Sequence, residues 1–145
     1  MDSANQRIHL ALQIMPNGET NQLQWIGTKS YEVIKNGIGG GYIEGVHMPR
    51  INGRMWVDED FLYKSGELQV NAYATYLAIA LGYPFEYFIS GPCVLTGESD
   101  QEGNTLGLSQ GQIETIFKLL GQIETIFRQI ETIFKLLGEI RANSK

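Results

Sequence analysis

The stretch "YIEGVHMPRINGRMWVDEDF" (residues 42–61) decides how this chain is read. It holds two runs of strand-forming residues, "YIEGVHM" and "RMWVDEDF", on either side of "PRING". The Asn52-Gly53 pair tolerates the left-handed backbone that a tight reversal needs, so the stretch predicts an antiparallel hairpin.

Working outward, "RIHLALQIMP" (7–16) alternates apolar and polar positions and places Ile8, Leu10, Leu12 and Ile14 on one face of a half-buried strand. "PNGET" (16–20) is turn chemistry. "TKSYEVIKNG" (28–37) predicts a short helix with Thr28 or Ser30 as N-cap and Gly37 just past its end. Gly37, Gly39, Gly40 and Gly41 then make a flexible junction into the hairpin. Beyond it, "KSGELQV" (64–70) reads as a turn. "NAYATYLAIALG" (71–82) reads as a helix capped by Asn71 and stopped by Gly82. "FEYFISGPCVLTG" (85–97) returns as strand, broken near Gly91-Pro92. "ESDQEGNTLG" (98–107) is a polar loop, and Ser109 with Gln112 has capping-box spacing at the start of the last helix. Strands and helices mix without regular β-α-β alternation. The expected fold class is α+β: a small, mostly antiparallel sheet, two or three helices, and a long C-terminal amphipathic helix. Residues 1–108 form the α+β domain and 109–145 the elongated helix.

That helix says one thing three times. Gln-Ile-Glu-Thr-Ile-Phe starts at Gln112, Gln122 and Gln129. At 100° per residue, the seven-residue step between the last two copies misses two full turns by only about 20°. The ten-residue step before it rotates the first copy by about 80°. Ile116, Leu119, Ile123, Ile126, Ile130, Ile133, Leu137 and Ile140 nonetheless keep alternating spacings of three and four residues, an a/d heptad seam. Leu120, Phe127 and Phe134 widen it, while Phe117 falls outside it and is expected to pack on the domain. A helix from Ser109 to Ala142 is about 50 Å long, longer than the roughly 35 Å breadth of its own domain. Gly121 and Gly138 weaken it by about 1 kcal/mol each, or break it into a helical hairpin. Deleting Gln112–Arg128 leaves a complete helix of about 25 Å, so the tail reads as lengthened, by tandem duplication or by deliberate construction.

The ordered set "YEVIKNGIGGGYIEGV", "MWVDED", "LQVNAYAT", "ISGPCVLTG" and "DQEGNTLGLS" resembles, over roughly residues 30–110, a bacterial and phage family catalogued only as a domain of unknown function. The resemblance implies a small α+β domain, often carried by mobile elements. It implies no reaction and carries over no catalytic residue. The triplicated helix is not part of the family's pattern.

Composition sets outer bounds. A net charge of −5 without a Lys/Arg cluster argues against a nucleic-acid partner. Cys93 is the only cysteine, which excludes an intrachain disulfide and points to a reducing, cytoplasmic setting. No run approaches the roughly 20 apolar residues of a membrane span. Three functions fit these bounds. The leading one is a non-enzymatic homo-oligomer, trimer or higher because β-branched residues fill both seam positions. Its interface would be Ile116, Leu119, Ile123, Ile126, Phe127, Ile130, Ile133, Phe134, Leu137 and Ile140. The second is a binder of a small metabolite or nucleotide at Gly39, Gly40, Gly41, Tyr42 and Trp56, although the Lys and Ser/Thr of a phosphate loop are missing. The third is a metal-dependent enzyme in which Glu44, Asp58 and Asp60 hold a hard cation. No cofactor is expected. His9 and His47 lie on different predicted strands, and Cys93 reads as a small buried hydrophobe.

Overall fold

The computed structural model describes residues 7–60, 69–86 and 88–143. The expected hairpin forms between β3 (Ile43–Met48) and β4 (Gly53–Asp58), with Met48 opposite Gly53. Its loop is longer than a two-residue turn. Ile51 N–H donates to Met48 O and Asn52 N–H to Pro49 O, and Asn52 alone adopts φ of +51° before Gly53 starts the strand. Among described residues Asn52 is the only non-glycine with positive φ, which is what its short polar side chain permits.

The first strand, β1 (Ile8–Ile14), pairs antiparallel with β2 (Thr20–Ile26), and β5 (Cys93–Gly97) inserts between β1 and β4. The sheet has order β2-β1-β5-β4-β3, antiparallel at every pairing. The α+β expectation holds. Part of the predicted last strand does not form: Ser90 makes only an isolated bridge to Val70, outside the sheet, and β5 starts after Pro92. The predicted turn at 64–70 lies mostly outside the described residues.

Both sheet faces are covered, so β1 is buried on both sides rather than one. Leu12, Ile14, Met55, Val57 and Leu95 face α2 (Ala72–Ala80) and α3 (Gln110–Asn143), meeting Leu77, Leu81, Ile116 and Leu120 in the main core. The alternate positions Ala11, Trp25 and Val94 face Ile34 and Ile38 around α1 (Ser30–Gly37). Gly37 is the last residue of α1, where a Cβ would come within 2.7 Å of Val94 and 2.9 Å of Leu23. The predicted caps of α1 are not used: Lys29 occupies the N-cap position, without a side-chain hydrogen bond.

The other caps form as the sequence indicated. Asn71 Oδ1 accepts from Ala74 N at 2.9 Å, and the Asn71 amide donates to the carbonyls of Ile14 and Gly91, tying α2 to the sheet and to the segment before β5. Gly82, at φ +99°, ends α2 with paired bonds from Gly82 N to Ile79 O and from Tyr83 N to Ala78 O. At the start of α3, Gln112 N–H donates to Ser109 Oγ, while Ser109 N–H donates to Gln112 Oε1. The helix then runs unbroken to Asn143, through both Gly121 and Gly138.

Candidate functional site

Three groups of side chains were marked by the sequence, and the fold treats each differently. The glycines Gly39, Gly40 and Gly41 all take positive φ and unwind the end of α1. Gly39 N–H donates to Asn36 O and Gly40 N–H to Lys35 O. Those N–H groups are therefore used inside the chain, at a helix C-terminus whose partial charge is negative, and make no anion cradle. Beside them a shallow cleft of about 520 Å³ is lined by Tyr31, Lys35, Gly41, Tyr42, Ile43 and Glu59. The Lys35 ammonium stands 5.7 Å from the Tyr31 ring centroid. Trp56 does not line this cleft. Its ring covers Gly45, where a Cβ would meet it at 2.6 Å, and its indole N–H donates to Thr96 Oγ1 at 2.8 Å. The five residues expected to share a ligand thus separate into a glycine–tyrosine cleft and an in-sheet tryptophan.

The carboxylates separate too, which corrects the expected cation site. Glu44 pairs opposite Val57, and Asp58 is the next residue along β4, so alternation puts Glu44 and Asp58 on opposite faces of the sheet. Asp58 Oδ1 accepts from Asp60 N in a local turn, and its Oδ2 would lie 2.6 Å from a Cβ on Gly41. Among the described residues no three His, Cys, Asp or Glu side chains converge as a metal would require.

His9 and His47 are not neighbours. Their strands are separated by β5 and β4, about 14 Å at ordinary strand spacing. His9 stacks on Trp25 with centroids 5.4 Å apart, and its Nδ1 accepts from Gly107 N. Burial, helped by the nearby Arg7 charge and partly offset by Asp100, holds His9 below the ordinary histidine range. His47 pairs with Glu98, whose other oxygen takes Arg54 Nε at 2.7 Å, and Arg54 Nη1 reaches Gly45 O. Burial alone would raise Glu98, but the bonds from Arg54 and His47 outweigh it and hold the carboxyl below its usual value. Sequence reading missed this bridge because its members lie 44 and 51 residues apart with no spacing signature. Cys93 is fully buried, and burial pushes its thiol up to about 12, so it is no nucleophile at neutral pH.

The last helix offers the largest chemical feature. Its expected seam divides in two. Ile116, Leu119 and Ile123, with Leu120, are buried in the chain's own core, so these positions are filled within one molecule. Phe127 is the last anchored residue, packing edge-on against Tyr73 and Tyr76 of α2 with centroids 5.0 and 5.6 Å away. Phe117, expected against the domain, is half-exposed. Beyond the packed turns the seam is uncovered: Ile126, Ile130, Ile133, Phe134, Leu137 and Ile140, with Leu136 beside them, are each 44–69% exposed.

The three identical hexapeptides therefore occupy three environments. In the first, Gln112 donates to the Ile51 and Asn52 carbonyls and Ile116 is in the core. The second buries Ile123 and seats Phe127. The third buries none of its apolar residues.

Comparison with known proteins places a boundary in the same region. Residues 9–121 match the family model described as Domain of unknown function (DUF3846). The match is wider than the 30–110 resemblance and stops at Gly121, inside α3. No curated protein and no solved structure matches the chain. No helix among the described residues is long and apolar enough to cross a membrane.

Proposed function

The chain belongs to the DUF3846 family, whose model stops just before α3 leaves the body of the protein, and we propose that the remainder of α3 makes this member a homo-oligomer. The observation that carries the reading is the uncovered stripe from Ile126 to Ile140. Ile126, Ile130, Ile133, Leu137 and Ile140 follow spacings of four and three, continuing the buried face with the slow drift of a heptad repeat. A stripe with that period fits a second helix of the same pattern better than a flat surface. Both glycines near it, Gly121 and Gly138, lie in the helix with open space at the Cβ position, so neither interrupts it.

Burying the exposed half of a large aliphatic or aromatic side chain contributes about 1 kcal/mol, so seven such residues supply about 5–10 kcal/mol per chain. Two chains together exceed most of the 4–15 kcal/mol that association costs. β-branched residues at both seam positions favour a trimer or larger bundle over a dimer. The test is light scattering on the parent and on Ile130→Glu/Ile133→Glu/Leu137→Glu. We expect the parent to exceed one chain of 16.2 kDa at micromolar concentration and the variant to fall to a smaller assembly. Equal masses for the two would end the proposal.

A second reading rests on the cleft beside Gly41. Tyr31 and Tyr42 are exposed beside Glu59, and the Lys35 ammonium already stands over Tyr31, so the cleft offers the Tyr42 ring to a small aromatic ligand. Titration calorimetry with nucleotides and with aromatic amines, compared with Tyr42→Ala, tests it. No heat from either class removes the reading.

A further inference from the structure

We propose that the free edge of β2 is a second self-association surface, pairing antiparallel with β2 of another copy about a two-fold axis at Leu23. The motivating fact is the strand's composition. β2 reads TNQLQWI, seven residues without a charge or a proline, at the edge of the sheet. Proteins normally protect such an edge with charges, proline or a bulge. The opposite edge, β3, does carry them: Glu44 and His47 lie along it.

The register decides which groups are on offer. Met15 N–H donates to Glu19 O and Gly27 N–H to Arg7 O, at the two ends of the β1–β2 pair. Alternation then points the main-chain groups of Asn21, Leu23 and Trp25 toward β1 and those of Thr20, Gln22, Gln24 and Ile26 outward. Ile26 O takes a long bond from Lys29 N. Among the described residues, the outward main-chain groups of Gln22 and Gln24 have no partner.

A two-fold at Leu23 sets Gln22 opposite Gln24 of the second copy, and Gln24 opposite Gln22. Both residues turn N–H and C=O to the edge, so these two pairs make four main-chain hydrogen bonds. Their side chains are exposed on one face, and each amide can both donate and accept across the axis. Leu23 would face its own copy as a non-hydrogen-bonded pair, with Cα atoms about 4.5 Å apart. The helix α1 contacts β2 and β5 on the face that carries Leu23, so the two-fold also brings the two copies of α1 toward each other across the axis. The result is a continuous ten-stranded sheet that closes on itself and leaves β2 no longer open to further chains.

The experiment uses the full chain carrying the three glutamates on α3, so that β2 association is read apart from the α3 seam. With β2 unchanged we expect twice the 16.2 kDa chain mass, and adding Gln24→Pro, which removes only an outward N–H, should halve it. In the same background, Leu23→Cys should cross-link into a disulfide dimer under mild oxidation. Asn21→Cys, offset from the axis, should not, and the buried Cys93 contributes nothing. Adding Gln22→Lys and Gln24→Lys to Leu23→Cys sets like charges opposite each other and should abolish the cross-link. A single-chain mass before β2 is altered overturns the proposal. So does equal cross-linking at positions 21 and 23, or a cross-link that survives the lysines.

Discussion

The three copies of the hexapeptide allow one substitution to be made three times in matched local sequence. Ile116, Ile126 and Ile133 each hold its fifth position, in one continuous helix, and they are 0%, 52% and 54% exposed. Ile116→Ala removes core volume between the sheet and α2. With no exposed surface to begin with, the site leaves a cavity, and the cost is about 2–5 kcal/mol. Ile133→Ala removes atoms that touch nothing outside their own helix, and alanine is the better helix former by up to about 0.7 kcal/mol. Within one molecule the change should therefore be neutral or slightly stabilising. Ile126→Ala should resemble Ile133→Ala, even though its neighbour Phe127 is anchored. The order changes once chains associate, because Ile126 and Ile133 then lose about 1 kcal/mol each of contact with another copy. Urea unfolding followed by far-UV circular dichroism, at concentrations below and above the onset of association, separates the two regimes. Ile116→Ala should lower the midpoint at both concentrations, and Ile133→Ala only at the higher one. A loss above about 1.5 kcal/mol for Ile133→Ala in the dilute sample would refute the division of the helix, as would a cost for Ile116→Ala below about 1 kcal/mol.

Other consequences follow from the same contacts. Asn71→Ala loses a helix cap and leaves the Ile14 and Gly91 carbonyls without their buried donor, so it should cost about 3–5 kcal/mol in thermal or chemical unfolding. Asn71→Asp, which keeps the cap but cannot donate when ionised, should be nearly as damaging. Gly121→Ala meets nothing within 4 Å and should stabilise the helix by about 1 kcal/mol; a loss would mean that the helix bends there in solution. His9 is held neutral by burial, so the unfolded chain takes up its proton first. Stability should therefore fall as pH drops below about 6.5, with a slope of at most about 1.4 kcal/mol per pH unit from this group, and His9→Gln should flatten that limb. Below the carboxylate range a second loss is expected from Glu98, whose lowered value makes its contribution present at higher pH and lost on protonation. An unchanged pH slope in His9→Gln would show that the first limb has another source.

The features legible in the sequence were those decided within a few residues. The Asn71 cap and the reciprocal Ser109–Gln112 bonds depend on side chains three positions from the backbone they satisfy, and the Gly82 stop on backbone bonds spanning three and five residues. The Asn52-Gly53 reversal was local too, although its loop came out longer than the dipeptide implied. β2 escaped notice because its outward residues are glutamines rather than a conspicuous apolar alternation; Leu23 and Trp25 alone mark its covered face. The position of β5 between β1 and β4 was not legible, since it depends on pairings between residues some 40 and 80 apart. The same limit hid the His47–Glu98–Arg54 bridge and put Glu44 on the wrong side of an imagined cation site.

The seam was read as one object because heptad spacing cannot tell an intramolecular partner from an intermolecular one. The structure supplies the missing length. The helix is about 50 Å long, and α2 with the sheet covers only its first half, ending where Phe127 meets Tyr73 and Tyr76. The same hexapeptide is thus core where a neighbour exists and exposed where none does, and the family boundary at Gly121 falls close to that change. A seven-residue step, such as that between the second and third copies, lengthens such a helix with only about 20° of rotation and leaves the residues already packed in place. The cost is an exposed apolar stripe from Ile126 to Ile140. A bundle of three or more chains at α3 and a two-fold pair at the β2 edge have a further consequence. If the two-fold crosses the bundle axis at right angles the assembly closes, as a hexamer for a three-chain bundle, and otherwise it grows. The α3 glutamates should then reduce any large assembly to pairs, whereas Gln24→Pro should leave only the helical bundle.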